Sequence, residues 1–276
     1  MIEILRKHSC SKKGEVENED HYRAQSNLLV VADGAGGAGI YSGEWSEYLV
    51  NIIPDQPFIN PAELEELLDS KWEDFFNNCR EKSADQDVRA KFLSEGSYST
   101  LSAVWISDLE DLGAKLDYLA IGDSPILVIN PVDGIFRTSI HNISDFSNPP
   151  KLINWKQSPL PEYVSSNSFS INKGDYVVLC SDALGQYLLL TDALFKEAKE
   201  EQPCLGEIRA MPYRLANLLE RLEGEPFLRQ NWFEEIFEVI LTNSGSQDEF
   251  QNYVYGLCDK GLVESDDYTL LVAKVL

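Results

Sequence analysis

Four times in this sequence an apolar run meets a short turn that carries a carboxylate: LLVVADG at Asp33, YLAIGDS at Asp123, VVLCSDAL at Asp182 and ESDDYTLL at Asp266 and Asp267. A fifth acidic pair, Glu19 and Asp20 in NEDHY, stands just upstream of the run that leads to Asp33. One Asp at a strand end is ordinarily a turn former, because its side chain bonds nearby backbone N–H groups. Several such ends gathered by neighbouring strands are a different matter, since converging carboxylates repel and require a counter-charge. Ligands that are all oxygen select magnesium or manganese over zinc. The pattern points to a site for hard cations.

Competing chemistries are poorly supplied. His8, His21 and His141 lie far apart without HExxH spacing, and there is no GxSxG elbow. The segment from Cys204 to Arg209 has four intervening residues and no preceding His, so it reads as a link between helices. The cysteines Cys10, Cys79, Cys180, Cys204 and Cys258 are odd in number and never form a CxxC pair. They indicate a reducing compartment, not a disulfide framework or a zinc knuckle.

The elements that must position the acids follow from periodicity. Ile2 to Arg6 and Leu28 to Ala32 read as strands, the second ending in the DGAGGAG turn. Tyr41 to Ile53 is amphipathic, and Pro61 to Lys82 begins with Pro and several Glu, which favours a helix start. From Ser97 to Arg137 the texture changes to short β-branched and aromatic runs, an antiparallel meander. Ser139 to Ser166 is rich in Pro and Asn and longer than most connections, so it reads as a functional flap or a disordered loop. Strands resume at SFSI and DYVVLCS, helical periodicity fills roughly 191–258, and Tyr268 to Leu276 closes the chain as a strand. Strands, two helices, strands, helices, strand: this order predicts α+β, not alternating βαβ units.

Composition bounds the rest. A chain of 276 residues, 43% apolar, is long enough to close a real core and is expected to fold as a single domain over 1–276. Its 46 acidic against 23 basic side chains give a formal charge of -23, which repels nucleic acid and anionic lipid. No stretch is long and apolar enough for a signal peptide or a membrane span, and a cytoplasmic location is expected.

Taken in order with their flanks, NEDHY, LLVVADGAGG, EGSYSTLSAVWI, YLAIGDSPILVI, DYVVLCSDALG and DDYTLLVAKV resemble the successive motifs of the metal-dependent 2C-type (PPM) protein phosphatases, in a bacterial style. The resemblance runs from about Asn18 to Lys274. It implies a central sandwich of two antiparallel sheets flanked by helices, in four layers α-β-β-α, with two manganese or magnesium ions where the sheets meet at one end. It further implies hydrolysis of phosphoserine and phosphothreonine in signalling proteins, with phosphorylated proteins as substrates and a cognate kinase as a partner. Carried over by position, Asp33 would bridge the metals with the Gly34 carbonyl as a further ligand. Asp182 and Asp266 would complete one shell, and Glu19 and Asp20 would hold the other metal, largely through water. Two cations sharing a water lower its pKa and aim the hydroxide at phosphorus, so no protein nucleophile is needed.

Asp123 matches the position that helps bind a third metal, but the partner expected four residues after Asp182 is Gln186, a neutral ligand weaker than a carboxylate, which argues against a tight third ion. Where the family carries a phosphate-binding Arg just before the NED motif, this chain has Glu15 and Glu17. Lys12, Lys13 and Arg23 are the nearby cations able to take its place, with Lys12 and Lys13 preferred. Ala35 stands where animal members have a His, Pro125 follows GDS, and the SDG motif reads Ser181-Asp182-Ala183.

Two other readings compete. Gly34 to Gly39 is formally GxGxxG, a dinucleotide-binding turn, but Asp33 would stand beside the pyrophosphate and a second helix follows where a strand is needed. The missing Arg also suits a catalytically inactive phosphatase-like module that binds phosphoproteins, although retaining unneutralised carboxylates would be costly. The apolar stripe of NWFEEIFEVIL reads as core, with partner binding as the alternative.

Overall fold

The computed structural model describes residues 2–58, 60–83, 85–108, 113–157, 159, 161–199, 205–211 and 214–276. Its strands are β1 (Ile2–Cys10), β2 (Asp20–Ala24), β3 (Leu28–Asp33), β4 (Tyr98–Ser99), β5 (Leu101–Asp108), β6 (Ala114–Ile121), β7 (Ile126–Asn130), β8 (Gly134–Thr138), β9 (Ile153–Asn154), β10 (Ser165–Ile171), β11 (Tyr176–Cys180) and β12 (Tyr268–Val275). They form two five-stranded antiparallel sheets, ordered β1-β12-β11-β7-β8 and β10-β6-β5-β3-β2, with β4 and β9 paired separately.

Alternation along the central strands builds three apolar layers. In β3, Leu29 and Val31 face the space between the sheets, while Leu28, Val30 and Ala32 face outward onto helices. In β12, Leu271, Ala273 and Val275 join the inter-sheet core, and Tyr268, Leu270 and Val272 face the opposite helical layer. Strands buried on both faces are predominantly apolar, as LLVVA is, and as YTLLVA is apart from Thr269, whose hydroxyl donates to Ser9 Oγ. The outer layer on β3 is made by α1 (Ser42–Ile52), α2 (Ala62–Lys82) and α3 (Gln86–Glu95), through Trp45, Leu49, Leu64, Phe75 and Phe92. The layer on β12 comes from α4 (Asp182–Ala198), α5 (Gly206–Arg209), α6 (Arg214–Gly224), a π turn at Phe233–Phe237, α7 (Glu238–Thr242) and α8 (Gln247–Asp259). The result is the four-layer α+β sandwich expected from the sequence.

Three elements differ from the sequence reading. The helix expected from Thr191 begins at Asp182, directly after β11; nearly every residue from Ala183 to Phe195 is buried, so no amphipathic period marks it. Helix α3 buries only Phe92, again leaving no periodic stripe, and is started by the Asp85 side chain accepting from the N–H groups of Asp87 and Val88. The flap holds short regular pieces, a 3-10 turn at Ile143–Ser147, β9, a second turn at Pro161–Tyr163 and the start of β10 at Ser165. Trp232, Phe233, Ile236, Phe237 and Ile240 are buried in the α4 layer, so that stripe is core. Cys10, Cys79 and Cys180 are buried free thiols and Cys258 is half-buried, while Cys204 lies outside the described residues. Among the described residues, no helix is long and apolar enough to cross a membrane.

Candidate active site at one end of the sandwich

Strand register alone brings the acidic turns together. Asp20 at the start of β2 pairs with Asp33 at the end of β3. Strand β3 runs antiparallel to β5, and Leu101 at the start of β5 pairs with Ile121, two residues before Asp123. In the other sheet Cys180 pairs with Leu270, so Asp182 and Asp266 leave the same edge. The carboxylates therefore meet at one end of the inter-sheet space, around a hollow of about 500 Å³ lined by Glu19, Asp33, Asp123, Asp182 and Asp266. A larger hollow of about 790 Å³ lies beside β8 and α4, but of the two acids among its described lining residues, Asp133 and Asp192, the second is already held by Lys196 and by the Ile135 N–H, so no cluster of carboxylates forms there.

The backbone around Asp33 is fastened from below. Its N–H donates to Thr100 Oγ1 at 3.0 Å, and its carbonyl accepts from the Thr100 N–H and Ser99 Oγ. Thr100 Oγ1 lies 2.7 Å from Ser124 Oγ, and Ser102 Oγ donates to the Ser124 carbonyl, which ties this platform to the Asp123 turn. Gly122 takes φ +96° there, and a Cβ on it would stand 2.6 Å from Thr100 Cγ2. A Cβ on Gly34 would lie 2.8 Å from the Glu19 and Ser42 backbones, so the DG turn has to be glycine. Asp267 clamps the β1–β2 loop: its two carboxylate oxygens accept from the N–H groups of Lys12 at 2.7 Å and Glu19 at 2.6 Å.

Electrostatics at the site are those of an uncompensated acid cluster. Asp20 is 2% exposed, and neither of its carboxylate oxygens has a hydrogen-bond partner. The nearby Ser181 and Thr269 hydroxyls donate instead to the Asp267 carbonyl and Ser9 Oγ. Burial, then the charge of Asp267, pushes the Asp20 carboxyl up to about 7. Asp33 is raised well above the carboxylate range, by burial and then by Asp20, Asp182, Asp123 and Asp266, although part of its surface opens to the hollow. Asp182, in the first turn of α4 where the helix dipole favours an anion, is raised by burial and then by Asp123, Asp266 and Asp20. Its Oδ1 has no partner, and Oδ2 accepts from Gln186 Nε2 at 3.4 Å. Burial, then Asp266, lifts Asp123 to about 6. Asp266 and Glu19 are raised chiefly by burial.

This donor set is all oxygen, buried and short of positive charge, which fits divalent hard cations. Among the described residues, no three His, Cys, Asp or Glu side chains are arranged to hold one ion as they stand. Backbone carbonyls such as that of Gly34 add donors beyond those side chains.

The expected site residues fall into distinct places. Glu19, Asp33, Gly34, Asp123, Asp182, Asp266 and Lys12 line the hollow; Asp20 lies behind it, against Cys10 and Cys180. Lys13 Nζ donates to the Asp259 carboxylate, and Arg23 is held by Asp55 and the Ile53 carbonyl, so both cations face elsewhere. His8 bonds Ser244 and Gln247, His21 bonds Ser46, and His141 lines the larger hollow. Three contributions go beyond the sequence reading: the Ser99–Thr100 platform, the clamping role of Asp267, which was marked there only as an acid of the turn, and Arg214, which reaches the rim from α6. The first two sit inside the EGSYSTLSAVWI and DDYTLLVAKV motifs, where they could have been sought; nothing along the chain signals Arg214.

Comparison with known families matches residues 8–223 to the protein phosphatase 2C family. The chain belongs to that family and is thereby classed with the protein serine/threonine phosphatases. Among solved structures it is similar to the S. agalactiae serine/threonine phosphatase, at 16% identity and TM-score 0.51 over 100% of both chains. It is also similar to the Mycobacterium tuberculosis serine/threonine phosphatase PstP/Ppp, at 15% identity and TM-score 0.53 over 99% of this chain and 98% of that one. No match is found among curated proteins.

Proposed function

We propose that this chain hydrolyses phosphoserine and phosphothreonine monoesters in proteins, using two manganese or magnesium ions. The observation that carries the reading is the meeting of Asp33, Asp123, Asp182 and Asp266 around one hollow, with Asp20 buried and unpartnered behind them. Asp33 would serve both ions with the Gly34 carbonyl as a further ligand, Asp182 and Asp266 would complete the shell of one, and Glu19 and Asp20 would hold the other from the β2 side, largely through water. Bound divalent cations at such a site supply a water of lowered pKa and neutralise charge on the phosphoryl oxygens.

The protein's own residues do the rest. The Ser99–Thr100 platform fixes Asp33, and Asp267 fixes the loop that carries Lys12 and Glu19. Asp123 stands at the far side of the hollow, where it can accept a proton or a hydrogen bond from solvent. Gln186 steadies Asp182. The flap, through Phe146 and Pro149 to Leu152, forms a wall that excludes water from one side of a bound phosphorylated residue. Among the described lining residues no Cys or His is present, Thr100 is engaged with the Asp33 N–H and Ser124, and Ser147 sits on the flap with no general base beside it, which supports water as the attacking group.

Phosphate release from phosphoserine and phosphothreonine peptides, with and without manganese, tests this directly. Wild-type protein is expected to turn over only with metal, and Asp33→Ala and Asp182→Ala are each expected to lose at least about a hundredfold in kcat while staying folded. Full activity in either variant, or no metal-dependent release by the wild type, rejects the proposal and favours a phosphoprotein-binding role.

A further inference from the structure

The hollow presents a problem of charge. Five of its lining residues are acidic, and the substrate proposed for it is itself a dianion. Metal ions can neutralise the carboxylates, but the phosphoryl oxygens turned away from them still need donors. Among the described lining residues there are two cations, Lys12 and Arg214. The Lys12 ammonium pairs with Glu15 at 3.3 Å, on the loop side.

Arg214 is placed from the opposite direction. It is the first residue of α6, whose Leu215, Leu218, Leu219 and Leu222 are buried in the layer packed on α4 and thereby fix where the helix begins. The Glu264 carboxylate, on the turn that carries Asp266, accepts from Arg214 Nε, and Nη2 of the same guanidinium forms an ion pair with it. That fork sets the plane of the guanidinium and leaves its outer N–H edge unused by Glu264. The Arg214 side chain keeps 66% of its surface exposed, and its charge is felt at both Asp123 and Asp266. Phe146 and Asn148 of the flap line the same hollow.

We infer that Arg214, oriented by Glu264, is the residue that receives the phosphoryl group of the substrate, in place of an arginine just before the NED motif, where this chain has Glu15 and Glu17. The inference rests on the phosphatase reading above. It assigns the α4–α8 insert a direct part in substrate binding, and makes Glu264 a positioning residue.

The test uses the full chain loaded with manganese, p-nitrophenyl phosphate and a phosphothreonine peptide as substrates, and inorganic phosphate as competing ligand. Arg214→Ala is expected to raise KM and the inhibition constant for phosphate by roughly tenfold or more, with kcat less affected. Arg214→Lys should recover part of that loss, and Glu264→Gln should fall between wild type and Arg214→Ala. Arg137→Ala, which removes the same charge beside Phe169 and outside the lining of the hollow, should match the wild type and so exclude a general effect of net charge. Unchanged KM and phosphate inhibition in Arg214→Ala, or an equal loss in Arg137→Ala, overturns the assignment while leaving the phosphatase reading intact. A wild type that neither releases nor binds phosphate with manganese overturns both.

Discussion

Replacing Asp20 by Asn should stabilise the metal-free protein at alkaline pH, although it removes a group expected to serve the metal site. In the metal-free fold the Asp20 carboxyl is 2% exposed, has no hydrogen-bond partner, and is raised from 3.8 to about 7. The folded state thus holds this proton more tightly than the unfolded chain. The associated stability is complete below pH 3.8, falls as pH rises between the two values, and is lost above about 7. A shift of that size corresponds to roughly 4 kcal/mol at most. Asn cannot ionise, but it buries an amide without a partner, costing about 1–3 kcal/mol. The net gain at pH 8 is therefore about 1–3 kcal/mol, or several degrees in Tm for a chain of this size, and near pH 4, where Asp20 is largely neutral, it should turn into a loss of up to about 1–3 kcal/mol from the unpartnered amide. Urea unfolding in EDTA, followed by tryptophan fluorescence at both pH values, measures this. Manganese should then stabilise the wild type more than the variant, because only the wild type has the penalty to relieve. A variant no more stable than wild type at pH 8 in EDTA would show that Asp20 is not an uncompensated buried charge.

Two further outcomes follow from other contacts. A Cβ on Gly36 would overlap the Glu19 carboxylate; Gly36→Ala should therefore displace Glu19 and raise the manganese concentration needed for half-maximal activity severalfold, with Tm nearly unchanged, and an unaltered metal titration would count against a metal-site role for Glu19. Glu235 accepts from the backbone N–H groups of Leu228, Arg229, Gln230 and Asn231; burial pushes its carboxyl up, but the four donors together outweigh it and hold the pKa below the usual value. That stability is present above the ordinary Glu range and lost as pH falls through the lowered value, so Glu235→Gln should cost about 1–2 kcal/mol at pH 7 and less at pH 3, and equal costs at both would refute the account.

Much of the site was legible along the chain because a buried strand that ends in the acid cluster is written twice, once as an apolar run and once as the acid that terminates it. Asp33, Asp182 and Asp266 stand out for that reason, and so do β3, β11 and β12, whose burial on both faces leaves uninterrupted apolar runs. The same completeness of burial hid the first turns of α4, since a helix apolar all round has no period to read. Helix α3 was hidden by the reverse case, a single buried Phe92.

What the sequence by itself determined was the inventory: strands, acids at their ends, glycine at 34 where no side chain fits, and too few histidines or nucleophiles for another chemistry. Which residues face one another was decided only by the folded chain. Lys12 and Lys13 are neighbours, yet one lines the hollow while the other turns to Asp259. Asp266 and Asp267 are neighbours too, and one faces the hollow while the other clamps a loop. Arg214 comes to the rim from an insert that only its packing on α4 directs there. Direction at a turn depends on backbone geometry and on partners distant along the chain, and neither is carried by residue type or spacing.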